Sequence, residues 1–159
     1  MMVVLAIMSI ALGVAAVTIR DTRPSYVFQQ ETQRLQAAFS TASDDALLHG
    51  RQWGMLMESG EYRFVTLDNK THQWVEVTDP LLAKHTLPDN LTLKLEATNR
   101  MVLPDVSRAA VQPAILLMSS GLTSVFSLRL KDKNDARLAV SFTSDGHSDI
   151  VVGEHDAKS

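Results

Sequence analysis

The first nineteen residues, MMVVLAIMSIALGVAAVTI, contain no Asp, Glu, Lys or Arg, and Arg20 closes the run. As a helix such a run covers about 28 Å, close to the roughly 30 Å of a bilayer's hydrocarbon core. Ser9, Gly13 and Thr18 interrupt it without giving it a polar stripe, so it has no face to turn to water and must be buried in lipid or among other helices. A secretory signal peptide would carry a charged start and a shorter apolar stretch. The charged start is missing, although Val14-Ala15-Ala16 has the small residues of a cleavage site. The pattern predicts a single transmembrane helix over 1–19. Its expected membrane and assembly residues are Met2, Val3, Val4, Leu5, Ile7, Ser9, Ile10, Leu12, Gly13 and Val17. Ser9 with Gly13, and Ala11 with Ala15, have the small-residue spacing that lets membrane helices approach closely. Arg20 and Arg23 follow the run with Asp21 between them, which sets orientation only weakly.

All of the chain's 15 Lys+Arg and 18 Asp+Glu therefore lie beyond residue 19. With 45% apolar and 21% charged residues, the chain has enough material for a buried core,. The net charge of −3 offers no overall basic field for nucleic acid or an anionic membrane surface,. With no Cys, disulfides, Cys-zinc sites, iron–sulfur ligation and thiol catalysis are excluded,.

Pro24 predicts a kink or a fresh start of the backbone ladder. From Ser25 to His49 the apolar residues recur at helical spacing. Phe28, Leu35, Ala38, Phe39, Ala42 and Ala46 share one face, while Gln29, Gln30, Gln33, Arg34, Gln36, Asp44 and Asp45 fall elsewhere,. The face expected to lie on a sheet is Phe28, Leu35, Phe39, Ala42 and Ala46, and Gly50 is a good helix stop. After Gly50 the period becomes two. Strands are expected around Trp53–Met57, Tyr62–Leu67, Trp74–Val77, Leu91–Leu95 with one dry face, Ala114–Met118 covered on both faces, Phe126–Leu130, Leu138–Phe142 and Ile150–Val152,. Residues 97–113 read as a long polar loop and 154–159 as a frayed tail. One long helix followed by seven or eight short strands predicts an α+β fold, the helix packed on an antiparallel, sandwich-like body. The expected divisions are 1–19 as a transmembrane or filament-core helix, 20–50 as its amphipathic continuation, and 51–159 as a β-rich domain.

Catalytic signatures do not emerge. The five His are dispersed, with no HExxH pair,. Asp145-Gly146-His147-Ser148-Asp149 has the composition of a small metal loop, but also that of a solvated hairpin turn, as do Asp132, Asn134 and Asp135. Ser119-Ser120-Gly121 lacks the flanking glycine of a nucleophile elbow. Trp53 and Trp74 read as core aromatics before they read as a binding platform. Arg129, Lys131, Lys133 and Arg137 form a modest basic cluster diluted by Asp132 and Asp135, so nucleic acid is not an expected partner. No cofactor is expected, and no enzyme activity.

With stem, amphipathic continuation and β-rich body in hand, the chain resembles the type IV pilin-like superfamily, in particular the H-type minor pseudopilins (GspH) of type II secretion systems. MVVLAIMSIALG is similar to the apolar stem that follows the leader-peptidase motif. AAFSTASDDALLHGRQWGM resembles the family's helix end and first strand. GEYRFVTLD, LLAKHTLPDNLTLKLE and PAILLMSSGLTSVFSLRL resemble later segments in the same order. The family begins with a Gly at the peptidase cut, an aromatic after it and a Glu just before the apolar run. None of these stands in this chain, so processing and N-terminal methylation transfer to no residue here, and a start upstream of Met1 is expected.

The resemblance implies a pilin-like fold and a structural subunit held by its stem in the bacterial inner membrane, with its body in the periplasm. It implies the lipid bilayer as the stem's partner before assembly. Within a pseudopilus the implied partners are other minor pseudopilins of the tip, the major pseudopilin and the inner-membrane secretion platform. The alternatives are a minor pilin of a type IV pilus, including versions that take up DNA, and a periplasmic binding domain with a cleaved signal peptide.

Overall fold

The computed structural model describes residues 23–99, 112–147 and 149–154. The stem expected over 1–19 and the tail at 155–159 lie outside the described residues, as does most of the loop expected over 97–113. Helix α1 spans Arg23–His49. Pro24 stands in its first described turn. The helix stops at Gly50, whose φ of 64° is the left-handed conformation that closes a helix and that a side chain resists,.

Nine strands follow among the described residues, in two antiparallel sheets: β1 (Trp53–Glu58), β2 (Glu61–Asp68), β3 (Gln73–Glu76), β4 (His85–Thr86), β5 (Leu91–Asn99), β6 (Ile115–Leu117), β7 (Val125–Asp132), β8 (Ala139–Ser144) and β9 (Val151–Glu154). The first sheet has the order β3-β2-β1-β6, with β4 pairing the same strand β2; the second has the order β5-β7-β8-β9. The chain thus builds most of the first sheet, crosses to lay down β5, returns for β6 and finishes the second sheet. Where it crosses from β6 to β7 the connection is closed by a bridge between Leu117 and Thr123. The Ser124 hydroxyl accepts from the Leu116 N–H at 3.0 Å, and the buried Thr123 and Ser144 hydroxyls bond each other.

Several expectations need correction. The two-residue β4 has no counterpart in the expected set, because two residues show no period and, among the described residues, it pairs with the distant β2 at Glu61 and Tyr62. The strand β5 runs on to Asn99, into the segment expected as loop: the register shifts between Leu95 and Ala97, and such a bulge breaks the alternation while the ladder continues. Only Leu91 of its apolar face is fully buried; Leu93 and Leu95 are partly covered. The strand β1 does not alternate at its start, since Trp53, Gly54, Met55 and Leu56 are all buried. It is flanked by β2 and β6, and on the Gly54 side Pro113 and Trp74 close over the backbone. The strand β3 sits one residue before its expected position, and β9 starts one residue later than expected and ends two residues later.

Elsewhere the period holds. Phe126, Leu128 and Leu130 of β7, with Val140 and Phe142 of β8, are all buried. They join the helix residues and Trp53, Met55, Tyr62, Phe64, Ile115 and Leu117 of the first sheet in one core. The architecture is α+β: one described helix packed on two antiparallel sheets.

Candidate functional site

For a chain without catalytic signatures the site is a surface, and α1 presents two faces to consider. Its inner face carries Phe28, Leu35, Ala38, Phe39, Ala42 and Ala46, all buried. The alanines let the helix backbone lie close to the sheets, and Phe39 fills the junction. Its ring meets Phe64 of β2 edge-on at 5.3 Å between centroids, stacks on Phe126 of β7 at 5.6 Å, and tilts against Phe142 of β8 at 6.1 Å. One side chain of the helix thus touches aromatic rings of both sheets. The stem residues Met2, Val3, Val4, Leu5, Ile7, Ser9, Ile10, Leu12, Gly13 and Val17 lie outside the described residues.

Polar anchors hold the helix in place, and sequence reasoning missed them. Glu31 is buried, and its carboxylate lies 2.8 Å from Nε2 of His85 on β4. The signal was present: Glu31 stands three residues after Phe28 and four before Leu35, on the inner stripe, where a carboxylate needs a partner. The His85 ring packs against Tyr62 at 5.4 Å. Burial, and then the nearby Glu31 carboxylate, push the Tyr62 hydroxyl up to about 12. Arg34 donates to the Pro80 carbonyl at 2.7 Å. At the far end, Trp53 Nε1 donates to Asp45 at 2.9 Å, and Asp45 also faces His49 at 2.8 Å. Trp53 is therefore a core residue with its polar edge satisfied.

The outer face of α1 follows by subtraction. From Tyr26 to Ser40 the exposed residues are Tyr26, Gln29, Gln30, Gln33, Gln36, Ala37 and Ser40, and none is charged. A solvated helix face ordinarily carries charge; this one carries hydrogen-bonding amides and an aromatic ring that is 65% exposed. Further along, Leu47 and Leu48 are 56% and 79% exposed. Beside Leu47, a groove of about 320 Å³ opens between the helix end, the turn at Met118–Thr123 and β8–β9, with Asp44 and Asp149 at its rim.

The turns singled out in the sequence are held by their own backbones. Asp132 is buried; it accepts from Asn90 at 2.6 Å and from the backbone N–H of Asn134 and Asp135 at 2.7 and 3.2 Å. Asp145 accepts from the His147 N–H at 2.9 Å. Among the described residues no three His, Asp or Glu side chains gather as a metal-ion site. The basic cluster divides: Arg129 and Lys131 stand on β7, Lys133 donates to the Asp89 carbonyl at 2.7 Å, and Arg137 pairs with Asp135 at 3.0 Å. The Arg137 guanidinium holds the Asp135 carboxyl below its ordinary range.

The sequence model of the family described as type II transport protein GspH matches residues 31–146. Type II secretion system protein H of Pseudomonas aeruginosa is 28% identical over 153 residues, covering 92% of this chain and 87% of that protein. The minor pseudopilin EpsH from the type 2 secretion system of Vibrio cholerae superposes with a TM-score of 0.64 at 17% identity, over 79% of this chain and 95% of that one. E. coli GspH, solved in solution, gives 0.58 at 19% identity, over 87% and 93%.

Proposed function

This chain belongs to the GspH family of type II transport proteins, and from that premise we propose that it is a minor pseudopilin, a structural subunit of a type II secretion pseudopilus. The observation that carries the proposal is the extent of the family match, from the buried Glu31 of α1 to the turn after β8. The relative from Pseudomonas aeruginosa, named type II secretion system protein H, supports it along most of the chain. The family is a structural one and places the chain in the cell envelope. The type IV pilus and binding-domain alternatives draw no support from it.

In the finer reading, residues 1–19 form the transmembrane and later filament-core helix, 20–50 continue it, and 51–159 form the periplasmic domain. No helix among the described residues is long and apolar enough to cross a membrane, so the span rests on 1–19. Released from lipid, that stem would pack among the stems of its neighbours, the tip minor pseudopilins and the major pseudopilin, on the inner-membrane secretion platform. The uncharged outer face of α1 between Tyr26 and Ser40 suits such packing, because amides and small side chains are desolvated against a neighbouring helix at far lower cost than charges. The subunit works by being held and joined, without chemistry of its own.

The test is Val4→Arg at the native locus. An Arg costs about 2.5–3.5 kcal/mol at a membrane helix centre and less near an end, where it can snorkel, but within a bundle of stems it would find neither water nor partner. Secretion by the host system is expected to fall while the full-length variant accumulates as the wild type does and its body unfolds at the wild-type temperature. Normal secretion at native expression would refute the scaffold role.

A further inference from the structure

The strand register lays out the solvent face of the β5-β7-β8-β9 sheet. Lys94 stands directly opposite Arg129, and Lys131 follows two residues along β7, opposite Thr92. Like charges in opposed positions weaken a strand pair. One carboxylate answers them: Glu96, at the bulge, reaches a terminal nitrogen of Arg129 at 3.0 Å. The Arg129 Nε is buried without an acceptor. Among the described residues Lys94 and Lys131 form no ion pair. On a chain of net charge −3, Lys94 and Lys131 are positive charges that the fold gathers beside Arg129 and leaves without an ion pair among the described residues.

We propose that this sheet face docks an acidic protein surface of a neighbouring subunit, an inference that rests on the assembly reading and deepens it. Beside the cations the face is low: Arg129 is opposite Ser141, and Ser141 is opposite Gly153, where an added Cβ would meet nothing within 4 Å. At the other end Val125 and Val151 are 44% and 60% exposed. Cations at one end and bare valines at the other complement a protein surface with carboxylates beside an apolar patch, an arrangement that steers and orients docking. Nucleic acid fits worse. Three cations make few phosphate contacts, and among the described residues the face has no aromatic ring on which a base could stack,.

The full chain in neutral detergent is titrated with the purified bodies of the other pseudopilins of the same system, one at a time, by biolayer interferometry. An acidic body is expected to bind, with affinity falling about ten-fold or more between about 50 and about 300 mM salt. Lys94→Glu with Lys131→Glu should weaken it about ten-fold, mostly through the association rate. Both side chains are exposed and Lys94→Glu puts a carboxylate opposite Arg129, so the melting temperature should hold or rise slightly, and Lys70→Glu outside the face should leave binding unchanged. Binding indifferent to salt and to the double variant overturns the proposal. So does the absence of binding to every body, or the same dependence seen only with a DNA duplex or phosphatidylglycerol vesicles. In the host, the double variant should secrete poorly. If Val4→Arg abolishes secretion and the double variant secretes normally, the docking face fails while the assembly reading stands; if Val4→Arg secretes normally, the assembly reading itself fails.

Discussion

Phe39→Ala should remove the wedge at which helix and sheets meet. The ring is almost wholly buried and touches Phe64, Phe126 and Phe142. Truncating a buried Phe costs about 3–5 kcal/mol through lost transfer energy and the cavity left behind. The three ring pairs, each worth about 0.5–1.5 kcal/mol beyond area, place this site at the upper end. We therefore expect a loss of about 4–5 kcal/mol, a large share of the roughly 5–15 kcal/mol that holds a domain together. The body from residue 24 onward contains every described core residue and is expected to fold as a soluble monomer. Urea unfolding of that body, followed by tryptophan fluorescence and circular dichroism, measures the loss. Phe39→Leu, which keeps part of the contact, should cost about 1–2 kcal/mol and guards against a variant that does not fold at all. Tyr26→Ala on the outer face of the same helix should stay within about 0.5 kcal/mol. A Phe39→Ala cost below about 1.5 kcal/mol would refute the view that this residue joins the sheets.

Three further outcomes are expected. Gly54→Ala should lower stability by about 1–3 kcal/mol, because the new Cβ would sit 2.4 Å and 2.6 Å from Pro113 side-chain carbons,; a calorimetric melting temperature equal to wild type would count against that close approach. The Tyr62 phenol, raised from 10.0 to about 12, contributes fully below pH about 10 and loses its contribution as pH rises through about 12, a swing of about 2–3 kcal/mol. Wild type should therefore lose more stability than Tyr62→Phe across that window in urea titrations, and equal losses would clear Tyr62 of the effect. Chelation should leave the melting temperature unchanged; a fall with EDTA that calcium restores would convert the Asp132–Asp135 or Asp145–Asp149 turn into a metal loop.

What the sequence could tell depended on whether a residue's fate was set by its near neighbours. The buried Phe126, Leu128 and Leu130 alternate with exposed or half-buried neighbours, and the inner stripe of α1 recurs at helical spacing, so both were legible from period alone. The strand β4 was not, since two residues carry no period and their partner lies on β2. Nor was the basic sheet face. Lys94 meets Arg129 only through the β5–β7 register, and a register between distant strands is set by packing and turn geometry across the whole sheet. Local reading instead grouped Arg129 with Lys133 and Arg137, which backbone and carboxylate partners draw away. The outer face of α1 shows the same limit more sharply. Its glutamines are visible in the sequence, yet Glu31 and Arg34 lie among them and make the segment read as an ordinary charged helix. Only when Glu31 turns inward to His85 and Arg34 is tied to Pro80 do the exposed positions between Tyr26 and Ser40 become free of charge. Periodicity says which residues a fold must hide; which of the rest meet a partner depends on charges that long-range contacts have already satisfied.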